Sequence, residues 1–421
     1  MKALINKSEI TGKVVAPSSK SYTIRGLMCA ALAKGKSEII NPLSSDDTEA
    51  SIEVLNKIGI RVLQGKDSWQ VTGGDFCEPN TELSCRESAA TLRFMTAICS
   101  LMPGQCRLTS SPSLSKRPIK PLIQALRQLG VECYYQDEEA CVVIKGGSLS
   151  GGATELPGNI SSQFVSALLF ISPFADDNIK IKLTTPLESQ PFILMTLECL
   201  QKFGIKVKYS EDLREFETLK QEYQPTKYRV EGDWSSASYL LALGALSGEV
   251  EVENLNPQSL QGDKAILNFL KDMGALVTVS ENSVTVKRSR LKAIRANLSD
   301  CIDLLPTMAV LAASAEGVSE FTEIERARLK ESDRASALRE GLDGMGIKVI
   351  EERNRLTITG SPAKGSVIDS KGDHRIAMAF SLLGLSYGGT VIDNAECVSK
   401  TYPGFWDTLK SIGGEVKIDG K

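Results

Sequence analysis

Seven cations of this chain stand at expected starts of helices or at the turns leading into them: Lys20, Arg25, Arg117, Lys330, Arg334, Arg375 and Lys400. Lys20 and Arg25 belong to Pro17-Ser18-Ser19-Lys20-Ser21-Tyr22-Thr23-Ile24-Arg25, where a proline and serines mark the first turn of a helix. Free backbone N–H groups and the positive end of the helix dipole there face the same space as Lys20 and Ser21. Arg25 lies four residues beyond Ser21 and so falls on the same face. One phosphate and one carboxylate would not occupy seven cations, so two anionic substrates or one polyanion are expected. Two acids sit within the set. Asp303 is expected to start a helix between Cys301-Ile302 and Leu304-Leu305-Pro306, and an acid with apolar neighbours among cations is suited to proton transfer. Glu331 lies between Lys330 and Arg334; the spacing predicts Lys330 and Arg334 on one helix face, with Glu331 and Arg334 adjacent at i, i+3. His374, the one histidine, is flanked by Asp373 and Arg375 at a helix start and is read as a ligand contact. No GxxxxGK[ST] loop and no GxGxxG after a strand is present, which leaves charge stabilisation and acid–base chemistry on small anions.

The elements that must position these residues repeat along the chain. The phrase Leu-x-x-apolar-Gly recurs six times, ending at Gly59, Gly130, Gly204, Gly274, Gly346 and Gly413. Each copy predicts the end of an amphipathic helix with glycine as the left-handed cap. Strands are expected after several copies, at Ile60-Arg61-Val62, Ile205-Lys206-Val207 and Ile347-Lys348-Val349, followed by second strands such as Trp69-Gln70-Val71. Each copy also has an earlier helix rich in small residues and then a strand, giving helix–strand–helix–strand–strand with a period of roughly 70 residues. The sixth copy stops short after Glu415-Val416-Lys417-Ile418, and Lys2-Ala3-Leu4-Ile5 can supply its missing strand. The expected division is a domain of three repeats over 17–230 and a second over 1–16 plus 231–421. Repeat symmetry would bring many helix starts and cations to comparable edges, where they could converge on anions.

Composition sets the outer limits. The chain has 421 residues, 42% of them hydrophobic and 24% charged, with a net charge of −3. That balance gives no support to nonspecific nucleic-acid binding. Ten scattered cysteines without a CxxC pair read as buried small hydrophobes in a reducing compartment, and one histidine argues against a Cys/His zinc site. With neither a signal-peptide pattern nor a membrane-length apolar run, a cytoplasmic protein is expected, without metal or prosthetic cofactor.

Six motifs stand out: Pro17-Ser18-Ser19-Lys20-Ser21-x-x-x-Arg25, Lys116-Arg117-Pro118-Ile119, Ser161-Ser162-Gln163-Phe164, Arg328-Leu329-Lys330-Glu331-Ser332-Asp333-Arg334, Asp373-His374-Arg375-x-Ala377-Met378 and Lys400-Thr401-Tyr402-Pro403. Together they resemble the 5-enolpyruvylshikimate-3-phosphate (EPSP) synthase family of enolpyruvyl transferases. They occur in the family's order over nearly the whole chain. The resemblance implies an α/β fold of two similar domains, each of three α/β repeats with helices inside and sheets outside (the inverted α/β barrel). It implies transfer of the carboxyvinyl group of phosphoenolpyruvate to the 5-hydroxyl of shikimate 3-phosphate with loss of phosphate. By position, Lys20, Ser21, Arg25, Ser161, Ser162, Gln163, Ser189, Asp303 and Lys330 resemble contacts to shikimate 3-phosphate. Lys20, Ala89, Arg117, Gln163, Arg334, His374, Arg375 and Lys400 resemble contacts to phosphoenolpyruvate. Asp303 matches the group that takes the hydroxyl proton, with Glu331 and Lys20 serving the substrate methylene. The two substrates are the partners implied, for a monomer that binds neither nucleic acid nor membrane.

Some positions depart from the family's commonest pattern. Glu87-Ser88-Ala89-Ala90-Thr91-Leu92-Arg93 stands where many members carry Asn-(Ala/Ser)-Gly-Thr-x-x-Arg, so Ala89 replaces a glycine beside phosphoenolpyruvate. A methyl there would crowd glyphosate, the family's longer inhibitor, and reduced sensitivity is expected. Phe192 stands for a common tyrosine and Arg326 for a common asparagine. The sister enzyme acting on UDP-N-acetylglucosamine is the nearest rival. It carries Lys-Asn where this chain has Lys20-Ser21, and a cysteine in the loop comparable to Ser111–Arg117, which has none here. A noncatalytic six-repeat scaffold is the other alternative, and it would have no reason to gather two acids with seven cations.

Overall fold

The computed structural model describes residues 1–420. The chain divides into two units, Ser18–Val230 and Met1–Pro17 with Glu231–Lys421.

The helix-ending phrase has the same geometry in every copy. Gly59, Gly130, Gly204, Gly274, Gly346 and Gly413 all have left-handed φ, between +81° and +96°. The amide of the next residue donates back to the leucine carbonyl five positions earlier, from Ile60 to Leu55 (3.1 Å) through Gly414 to Leu409 (2.9 Å). This bond satisfies a carbonyl that the helix itself leaves open, and glycine accepts the required φ without a Cβ clash.

Each copy contributes one open four-stranded sheet, and there are six such sheets among the described residues. In the unit Ser18–Val230, the first sheet runs Lys227–Arg229, Gly35–Ile40, Ser68–Gly73, Arg61–Gln64. The other two sheets of this unit repeat that order, each with one parallel pair and two antiparallel pairs. The chain after Ser210, rich in charge, thus forms the strand Glu215–Thr218 and then returns to complete the first sheet with Lys227–Arg229. In the other unit, Ile10–Val15 pairs in parallel with Gly248–Glu253. Lys2–Ile5 lies between Thr390–Asp393 and Val416–Asp419, antiparallel to both, and so fills the gap in the sixth copy.

One expected strand is absent. Ile205-Lys206-Val207 is not a strand, and only Lys208–Tyr209 pairs there. The reason is local: Gln221 accepts from the Lys206 amide (2.8 Å) and donates to the Lys206 carbonyl (2.8 Å), so a side chain takes the place of a partner strand.

The first helix of each copy is apolar on nearly all sides and is buried, as its composition requires. Lys20–Leu32 is buried continuously from Tyr22, and Trp234–Ser247 is buried except at Leu246. Each unit has its own apolar core around these helices. Two glycines allow the helices to approach strands brought from distant sequence. A Cβ on Gly26 would meet the Tyr228 ring at 2.7 Å, and one on Gly384 would meet Ile5 Cγ2 at 2.9 Å. Among the described residues no helix is long and apolar enough to cross a membrane.

Candidate active site

Five of the six first helices begin on a hydroxyl or carboxylate cap. Ser19, Ser88, Ser161, Asp233 and Asp373 accept from the amides of Tyr22, Thr91, Gln163, Ser236 and Arg375 respectively. The fifth copy differs. There Cys301 precedes a 3-10 turn, Ile302–Leu304, which carries Asp303 in its middle before the helix Leu305–Ala313 begins. Asp303 is therefore a turn residue rather than the expected helix start, and its carboxylate is available to side chains.

Those side chains are cations. Arg334 Nη1 donates to Asp303 Oδ1 at 2.7 Å, Lys330 Nζ lies 3.3 Å from the same oxygen, and Arg375 Nη2 lies 3.5 Å from Oδ2. Arg334 is 1% exposed and also pairs with Glu331 (2.6 Å) and Asp373 (2.8 Å). Asp373 additionally accepts from Ser332 (3.0 Å) and from the Arg375 amide (2.9 Å), and so ties two of the expected site segments together. His374 is buried, with Nδ1 3.7 Å from Asp373. Lys400 is buried at the end of the 3-10 turn Ala395–Lys400.

Lys330 and Arg334 do not share a helix, contrary to the i, i+4 expectation. Lys330 follows the 3-10 turn Glu325–Leu329 in an extended conformation (φ −89°, ψ −153°). Asp333 then caps a new helix, Arg334–Gly344. The helix-breaking preference of Ser332-Asp333 outweighs the spacing. The two cations meet on Asp303 all the same.

Burial alone would raise the Asp303 carboxyl, but Arg375, Lys330 and Arg334 outweigh it and hold Asp303 well below the usual carboxylate range. Burial lowers Lys330 to about 8, with Asp303 opposing and with Arg334 and Arg326 reinforcing the drop. Asp263, also buried, is pushed up to about 7 by burial first and then by Asp303.

The unit Ser18–Val230 holds a second set. Lys20 Nζ donates to the buried Asp47 carboxylate at 2.8 Å. Arg25 donates to Thr196 Oγ1 (2.8 Å), to the Phe192 carbonyl (3.2 Å) and to the Ser21 carbonyl (3.1 Å), which holds its charge beside the helix after Ser189. Burial lowers the Arg25 pKa. Phe192 meets Arg25 through its carbonyl and also through its ring, whose centre lies 5.7 Å from the guanidinium carbon. Ser189 adopts a left-handed conformation (φ +56°), a strained state for serine that is common at functional positions. Ala89 opens the helix Ala89–Ile98 and is buried, whereas Arg117 is half-buried just after the short helix Pro112–Ser115. Ser162 is buried, and Ser161 and Gln163 are half-exposed at the start of the same helix.

A family model described as EPSP synthase (3-phosphoshikimate 1-carboxyvinyltransferase) matches residues 5–409. The chain belongs to the EPSP synthase family. A 3-phosphoshikimate 1-carboxyvinyltransferase of Dehalococcoides mccartyi is 50% identical over 421 residues, covering 100% of both chains. One from Methanocaldococcus jannaschii is 40% identical, with 99% of each chain covered. The solved EPSP synthase of Acinetobacter baumannii superposes with a TM-score of 0.83 at 26% identity, over 99% of this chain and 100% of that one. The EPSP synthase reaction transfers the carboxyvinyl group of phosphoenolpyruvate to shikimate 3-phosphate in the shikimate pathway, and this chain is an enzyme of that reaction.

Three residues outside the expected EPSP synthase contacts hold expected ones in place: Asp47 on Lys20, Asp373 on Arg334, and Arg93 on Ser161 and Gln163. Their types and their position at helix starts or turns were visible in the sequence. Their partners were not, since the contacts span 27, 39 and about 70 residues. Among the described residues no group of three or more His, Cys, Asp or Glu side chains is arranged to hold a metal ion.

Proposed function

We propose that Asp303 takes the 5-hydroxyl proton of shikimate 3-phosphate as that oxygen bonds to C2 of phosphoenolpyruvate. Glu331 and Lys20 give a proton to the methylene carbon and later remove one as phosphate leaves. Shikimate 3-phosphate is held by Lys20, Ser21, Arg25, Ser161, Ser162, Gln163, Ser189 and Lys330. Phosphoenolpyruvate is held by Lys20, Gln163, Arg117, Arg334, His374, Arg375 and Lys400, with Ala89 against it. The observation that carries this reading is the carboxylate of Asp303 with Arg334, Lys330 and Arg375 at 2.7, 3.3 and 3.5 Å. In the free enzyme these cations make Asp303 a weak base. Substrate carboxylates and phosphates that engage the same cations draw their charge away, and Asp303 becomes more basic when there is a proton to take. The reading takes the enzyme as a monomer without cofactor, and as cytoplasmic in keeping with ten free cysteines.

The pH profile tests the electrostatics. Lys330 must be protonated to hold an anion, and its free-enzyme value is about 8. The kcat/KM for shikimate 3-phosphate is expected to fall about tenfold per pH unit above that value, because kcat/KM reports the free enzyme. Lys330→Arg stays charged and removes this limb. A limb unchanged in Lys330→Arg would assign the titration elsewhere.

The buried Ala89 methyl carries a second expectation. Inhibition by glyphosate should strengthen by about tenfold in Ala89→Gly, at little change in KM for phosphoenolpyruvate, because the methyl selects against the longer molecule. Equal inhibition of the two proteins would contradict it.

A further inference from the structure

Arg93 lies on the helix Ala89–Ile98, 5% exposed, with its guanidinium carbon 5.0 Å from the centre of the Phe164 ring. Its Nη1 donates to Ser161 Oγ (3.0 Å) and to Gln163 Oε1 (2.8 Å), and its Nη2 donates to the Pro118 carbonyl (3.0 Å). One side chain thus joins three segments, and two of its partners are groups assigned above to substrate.

A guanidinium has hydrogen-bond donors and no acceptor. The Gln163 amide has one oxygen and one NH2, nearly identical in shape, so either could face Arg93 on steric grounds alone. Only the oxygen can pair with Arg93, which turns the NH2 away from it. The same logic applies to Ser161. Its hydroxyl oxygen accepts from Arg93 and, as helix cap, from the Gln163 amide (3.3 Å). A hydroxyl has two acceptor positions and one donor. With both acceptor positions filled, the O–H is what Ser161 has left to offer.

We propose that Arg93 is a positioning residue that forces Ser161 and Gln163 to present donors, and so sets this helix start to bind anions. Without Arg93 the amide could turn and offer its oxygen to a phosphate, replacing an attraction by a repulsion. The proposal rests on the assignment of Gln163 as a substrate contact. It places Arg93 behind the binding groups rather than on the substrate.

A double-mutant cycle of Arg93→Met and Gln163→Met tests it, with kcat and KM measured for both substrates. Arg93→Met is expected to raise KM about tenfold or more with little change in kcat, the scale of one misdirected hydrogen bond to a charged group. Added to Gln163→Met, it should raise KM less than about threefold further, because its main target has gone. Gln163→Glu keeps the oxygen for Arg93 but has no N–H. It should raise KM by about a hundredfold without lowering the melting temperature, and this variant decides the matter if Arg93→Met does not fold. Parental KM in Gln163→Met would remove Gln163 as a substrate contact, and the proposal with it. A raised KM in Gln163→Met with effects that multiply across the cycle would leave that contact standing and overturn the role of Arg93. Parental KM in Gln163→Glu would overturn it as well.

Discussion

Asp303→Asn is expected to lower kcat by about 10²–10⁴-fold while shikimate 3-phosphate and phosphoenolpyruvate still bind, the range for loss of one general base. Asparagine keeps the size of the side chain and can still accept a hydrogen bond from Arg334, but it cannot take a proton from a hydroxyl. It also removes a negative charge that Arg334, Lys330 and Arg375 now share. Those cations then face the substrates with less competition, so substrate affinity should hold or increase. Calorimetric binding together with single-turnover kinetics reads both quantities. Retained turnover would mean that Asp303 does not accept the proton. Lost binding with lost turnover would make it a structural counter-ion.

Arg334→Met is expected to be among the most destabilising single changes in the site. Arg334 is 1% exposed and Asp373 0%, and Asp303, Glu331 and Asp373 all pair with this one guanidinium. Removing one partner of a buried ion pair leaves uncompensated charge and costs about 3–5 kcal/mol. For a folding unit of this size that corresponds to a fall in Tm of about 6–20 °C. The deficit has a sign with pH. Arg334 is among the cations that hold Asp303 low, so its loss lets the Asp303 carboxyl protonate more readily. Protonation neutralises the orphaned charge, so the gap to the parent should narrow as pH falls towards 5. Thermal melts at several pH values check this. A Tm within 2 °C of the parent throughout would show that the acids are solvated rather than buried against Arg334.

What could be read from the sequence was local or periodic. Leu-x-x-apolar-Gly marked the helix ends because the left-handed turn is made within six residues, and all six glycines have that geometry. The strand that the sixth copy lacks could be placed by counting, and Lys2–Ile5 occupies it. Where the spacing misled, a neighbouring group decided the conformation. Lys330 and Arg334 have helical spacing, yet the cap at Asp333 interrupts the chain between them. Ile205–Val207 has the composition of a strand, but the Gln221 side chain holds the Lys206 backbone instead. The site showed the same division. Lys20, Asp303, Glu331 and Arg375 stood out by type and position. Asp47, Asp373 and Arg93 act on partners that are distant in sequence, and only the packing of the helices brings them together.

The assignment of substrate is tested most directly by phosphate release from phosphoenolpyruvate, measured with shikimate 3-phosphate and separately with UDP-N-acetylglucosamine. The cation set, with Lys20-Ser21 in place of Lys-Asn and no cysteine between Ser111 and Arg117, predicts release with shikimate 3-phosphate alone. Release with UDP-N-acetylglucosamine and none with shikimate 3-phosphate would contradict the account at its centre.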